Sequence, residues 1–198
     1  VKHQELFRRL DSLLAEAMPK GYVFRHDAEA LSPAILKKSR WAVLALIYNI
    51  ELYTQVHYVQ SIDADPDSSD LFRDVFFFHW KEESQHVICD EIEWDSVDRH
   101  MTSAARAQAV DDLISLLHMI DVVVCQQSND DADYFLRHLD RSLSELQVGR
   151  IRSGLQAAYR WQYIASGIEH DRFVDGLKAK IDDLQMDRLQ SKLMPIMR

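Results

Sequence analysis

Cysteine is scarce: the only two are Cys89 and Cys125. Two thiols exclude a disulfide-stapled scaffold and a thiolate zinc site, and they fit a reducing, cytoplasmic setting. Glycine and proline are also rare, at 5 and 4 residues, so long stretches of chain lack turn punctuation. Helix-forming Leu, Ala, Glu, Gln and Arg are plentiful, and the fold class expected is all-α. Positive charge is in deficit, with a formal net charge of −9, and no basic footprint for phosphate is visible; nucleic acid is excluded as a partner. The longest apolar run, Trp41 to Tyr48, is too short to span a bilayer, so no membrane partner is expected. There is no repeat and no low-complexity tract. One helical domain over residues 1–198 is expected, with its core bundle at about 33–180.

Periodicity divides the chain further. His3 to Met18 predicts an amphipathic helix with Leu6, Leu10, Leu13, Leu14 and Ala17 on one side, closed by Pro19 and Gly21. Ser32-Pro33 reads as an N-cap and first helical residue, opening a long helix to about Ser61 that is apolar nearly all round from Trp41 to Tyr53. The acidic loop Asp63 to Asp70 precedes a second long helix, Leu71 to about His100. A third covers about Ala104 to Leu139. Ser142-Leu-Ser-Glu145 reads as a capping box for a fourth, running to about Lys180, and a short helix from Asp182 to Leu193 ends the chain.

What is there, against this bland background, is a polar ladder. His79, Glu83, His86 and Asp90 are separated by four, three and four positions, which keeps all four on one helical face behind the apolar run Val75 to Phe78. Glu83 and His86 form a Glu-x-x-His pair, the spacing at which one helix offers an oxygen and a nitrogen to the same metal. Glu51 sits within an equally apolar segment, where an ionised carboxylate costs several kcal/mol unless it is paired, protonated or metal-bound. A hairpin turning near residue 67 puts Glu51 and Glu83 at the same height. A turn near residue 102 then brings Asp121 level with Glu83 and His118 level with His86. The fourth helix carries Gln162, Tyr163, Ser166 and His170 on one face.

Glu51 followed by Glu83-Ser-Gln-His86 on the first two long helices resembles the first half of a ferritin-like di-iron carboxylate site, as in ferritins, rubrerythrins and p-aminobenzoate N-oxygenase. The resemblance implies a ferritin-like four-helix bundle with short additional helices at the termini. It implies one or two iron ions, with manganese as the other candidate, held by Glu51, Glu83, His86, a third-helix carboxylate and a fourth-helix histidine. His170 supplies the histidine. Asp121 matches the height of the layer, whereas Asp131 or Asp133 matches the family's usual separation; His118 and Gln127 are further third-helix candidates. Gly167 stands where the family's second Glu-x-x-His has its Glu. His79 and Asp90 would orient the ligands, and Tyr163 and Tyr48 are candidate donors or redox-active neighbours. The activity implied is oxidation by dioxygen or peroxide of a small-molecule substrate, in a chain compatible with a homodimer. The competing expectations are metal binding or storage without oxygenase chemistry, and a metal-free helical interaction module.

Overall fold

The computed structural model describes residues 2–24 and 28–197. Helices α1 (Lys2–Ala17) and α2 (Ala28–Ile35) precede α3 (Arg40–His57), which continues as a π-helical turn, Tyr58–Ile62. Then come α4 (Asp70–Asp98), α5 (Ser103–Arg137) and α6 (Glu145–Arg160), the last extended by a second π turn, Trp161–Ala165, and the short α7 (Ser166–Ile168). Helices α8 (Asp171–Lys178) and α9 (Asp183–Leu193) close the chain, and the described residues include no strand. Among the described residues, no helix is long and apolar enough to cross a membrane.

The boundaries follow capping chemistry. Ser39, Ser69 and Thr102 accept from the backbone N–H groups of Ala42, Phe72 and Ala105, each cap stabilising its helix by about 1 kcal/mol. Helix α3 starts later than Ser32-Pro33 predicts. Asp112 of α5 accepts from the Ser39 N–H at 2.9 Å and pairs with Lys38, so a tertiary contact fixes this N-terminus, while Pro33 lies inside α2. The capping box of α6 is built two residues beyond the expected one, on Ser144 and Gln147. The fourth long helix also does not reach Lys180: it ends at Ile168, and His170 adopts an extended backbone that caps α8.

Helix α3 is the centre, with α4, α5 and the segment from Trp161 to Ile168 all packed against it. Ala42 and Ala45 are fully buried, and their small side chains let neighbours approach. The largest buried group is aromatic. Trp94 of α4 meets Trp41 at 5.0 Å, Tyr48 at 5.9 Å and Phe173 at 5.8 Å between ring centroids, and Lys180 lies over its ring at 4.4 Å. Trp41 also donates through Nε1 to Asp98, which Arg106 pairs. Tyr48 is thereby fully buried in this aromatic core.

The tightest approach is at Gly167. A Cβ there would lie 2.4 Å from both the backbone oxygen and Oδ1 of Asn49 on α3. Asn49 is itself fully buried. The glycine is a packing requirement of the α3 crossing, and a glutamate at this position has no room.

Candidate metal centre

Glu83 is the hub. The long α4 carries it on the face turned to α3, where only 6% of it is exposed. One turn before it, His79 Nε2 lies 2.9 Å from Oε1; one turn after it, His86 Nδ1 contacts Oε2. The four-three spacing brackets one carboxylate with two imidazoles, as the helix period requires. Phe7 of α1 packs edge-on against the His79 ring at 4.8 Å and shields it from one side, whereas the His86 side chain remains 53% exposed.

Glu51 approaches from α3. One ligand atom each of Glu51, Glu83 and His86 lie within 4.8 Å of one another. Burial, then the hydrogen bond and charge of Glu83, then the charge of Asp90, push the Glu51 carboxyl up to about 9, so at neutral pH it holds its proton. Burial chiefly raises Asp90 as well, with the charges of Glu93 and Glu83 acting in the same direction and His86 against it. Two facing carboxylates with an adjacent imidazole therefore relieve their repulsion by retaining a proton. Two carboxylate oxygens and one imidazole nitrogen make a donor set that could hold a metal ion in place of that proton.

Asp121 and His170 do not join this group. The Asp121 carboxylate takes both arms of the Arg160 guanidinium, at 2.7 and 3.0 Å, and Cys125 Sγ lies 3.5 Å away. Equal height along two helices did not specify which way Asp121 faces. The His170 Nδ1 accepts from the Arg172 N–H at 3.2 Å, so this histidine serves as the N-cap of α8. Of the other third-helix candidates, His118 is exposed and Asp133 pairs with Arg152.

Gln127 and Asp131 occupy a second polar site. Asp131 accepts from Gln127 Nε2 at 2.8 Å and from the Tyr159 hydroxyl, while Gln127 also reaches the Val23 carbonyl and Tyr22. Burial and then Asp131 push the Tyr22 phenol up to about 12, and burial with the Asp131 hydrogen bond raises Tyr159 strongly. The sequence offered Gln127 and Asp131 only as third-helix metal candidates, and their meeting with Tyr22 and Tyr159 left no mark in sequence spacing. Compared with protein-family profiles, curated proteins and solved structures, the chain matches none.

Proposed function

We propose that the protein binds iron or manganese at Glu51, Glu83 and His86 and works as a non-haem oxidoreductase on a small molecule. The observation that carries this reading is the convergence of those three ligand atoms around a carboxylate almost wholly removed from water. A four-helix bundle carrying a ferritin-like ligand set, without the ferritin-like connection, belongs to the same proposal. Bundles of that class have one long crossover connection, whereas short connections link α3 to α4, α4 to α5 and α5 to α6 here. The proposal therefore takes its ligand chemistry from the resemblance and stands on the side chains.

A metal ion held here, with positions left open, would supply Lewis acidity and one-electron redox chemistry toward dioxygen or peroxide. The protein's own groups divide the remaining work. His79 fixes the Glu83 carboxylate from behind, as groups flanking a ligand do. Glu51 would hold the ion as a carboxylate, giving up its retained proton, so uptake would be pH-dependent. The exposed edge of His86 leaves that side accessible from solvent.

The test is metal content after expression in iron- and manganese-supplemented medium and purification without chelators. At least one equivalent of a transition metal per chain is expected, falling to none in Glu83→Ala and His86→Ala. Wild-type protein free of metal would overturn the reading. It would favour a second one, a metal-free interaction module, for which the specific support is that His79, His86 and protonated Glu51 all contact the Glu83 carboxylate.

A further inference from the structure

Of the 7 tyrosines in the chain, all but Tyr48 and Tyr58 lie on one path. It starts at Tyr53 on α3, two residues after Glu51. Tyr53 meets Tyr163 edge-to-face at 5.8 Å between centroids, and Tyr163 meets Tyr159 at 5.5 Å. Tyr159 donates its hydroxyl to Asp131, which also lies against the Tyr22 hydroxyl. Tyr22 meets Tyr134 edge-to-face at 5.3 Å, and Tyr22 is 42% exposed. Three helices and the segment after α1 contribute to this line, so no single helix period produces it.

Rings in contact exchange electrons readily. What limits oxidation of a phenol is the fate of its proton, because the oxidised phenol is a strong acid. Tyr159 has an acceptor already in place: the Asp131 carboxylate, whose other oxygen is fixed by Gln127.

We propose that Tyr53, Tyr163, Tyr159 and Tyr22 form a conduit for single oxidising equivalents between the Glu51–Glu83–His86 cluster and the surface at Tyr22 and Tyr134, with Asp131 as proton acceptor for Tyr159. The conduit's use in the living protein rests on the oxidoreductase reading above; its geometry does not. The oxidant at the cluster end is any one-electron oxidant strong enough to oxidise a phenol. In the central step, a Tyr163 phenoxyl radical takes one electron from Tyr159 and one proton from solvent, restoring the Tyr163 phenol. Tyr159 loses that electron and passes its phenolic proton to Asp131, leaving a neutral Tyr159 phenoxyl and a carboxylic acid.

The test needs no metal. Cys89 is exposed on α4, three residues beyond His86, and provides an attachment point beside the cluster. A ruthenium polypyridyl maleimide is coupled to Cys89 in a Cys125→Ser background. Ruthenium(III) is generated by a flash with persulfate as the electron acceptor, and radical sites are mapped as nitroso spin-trap adducts by peptide mass spectrometry. Adducts are expected on Tyr22 and Tyr134. In Tyr159→Phe and Tyr163→Phe these adducts should fall several-fold, while adducts on the off-path Tyr58 stay constant. Asp131→Asn, which keeps an acceptor but cannot take the proton, should also lower the Tyr22 adduct. Thermal melts identify any variant that fails to fold, and each Phe variant then stands as a check on the other. Tyr22 labelling unchanged by both Phe substitutions would overturn the conduit. Because the metal is absent throughout, that result leaves the metal-binding reading untouched, and a metal-free wild-type protein leaves the conduit untouched.

Discussion

Replacing Glu51 by Gln should stabilise the metal-free protein at alkaline pH and leave it nearly unchanged at acid pH. The ordinary carboxyl value of 4.5 is raised to about 9 in the fold, first by burial and then by Glu83. Between those values the unfolded chain has released the proton and the folded chain retains it, so stability falls as pH rises through this window. Each pH unit costs about 1.4 kcal/mol, and a window from 4.5 to near 8 would cost about 5 kcal/mol for a fully shielded group. Glu51 is only part-buried, and solvent screening brings the working figure to about 2 kcal/mol. Glutamine keeps a donor toward Glu83 and has no proton to lose. In chelator, thermal or urea melts near pH 8 should therefore show Glu51→Gln more stable by about 2 kcal/mol, or about 4–8 °C in Tm for a chain of this size. Near pH 5 the two proteins should coincide. With added ferrous or manganous ion the order should reverse, since the wild type alone gains binding energy. A Gln variant that is destabilised, or changed equally at both pH values, would refute the account of Glu51 as a carboxyl held protonated by its site.

Removing the His86 ring deletes a half-exposed side chain, so His86→Ala should shift metal-free stability by less than about 1 kcal/mol while abolishing metal uptake; denaturation curves and metal analysis separate the two effects. His79→Ala leaves the ligand atoms intact but frees the Glu83 carboxylate to rotate, and metal affinity measured by competition with a chromophoric chelator should weaken by about 10–100-fold. Gly167→Ala drives a methyl into Asn49 on α3 and should cost about 3 kcal/mol in chemical denaturation, with stability near that of wild type counting against the close crossing. Trp94→Ala empties the aromatic core between Trp41, Tyr48 and Phe173 and should cost about 3–5 kcal/mol, with loss of near-ultraviolet dichroism.

The ladder on α4 was readable because all its information lies within one helix. A period of 3.6 residues puts His79, Glu83 and His86 on one stripe, whatever the rest of the fold does. Glu51 was nearly as readable: one apolar helix and one short loop set its height against Glu83. The capping box was not, because Ser142–Glu145 and Ser144–Gln147 overlap and both satisfy the local pattern. Asp121 shows the limit of counting along a helix. Height is a sum of residue rises, but direction around the axis depends on how α5 is rolled against its neighbours, and here the roll gives Asp121 to Arg160. His170 was lost to the break after Ile168, where local hydrogen bonding made a cap of it.

Gly167 marks the division most clearly. By sequence alone it is a missing ligand in an otherwise familiar pattern; in the fold it is the residue that lets the fourth helical segment lie against Asn49. The sequence determined the helical class, the absence of a disulfide scaffold and the pairing of an oxygen with a nitrogen at Glu83 and His86, because composition and helix period are local properties. The tertiary structure alone decided how closely Glu51 approaches that pair, that Asp121 stays away from it, and that tyrosines from separate elements meet at Asp131. Those outcomes depend on helix roll and crossing distance, which are set by packing between residues remote in the chain.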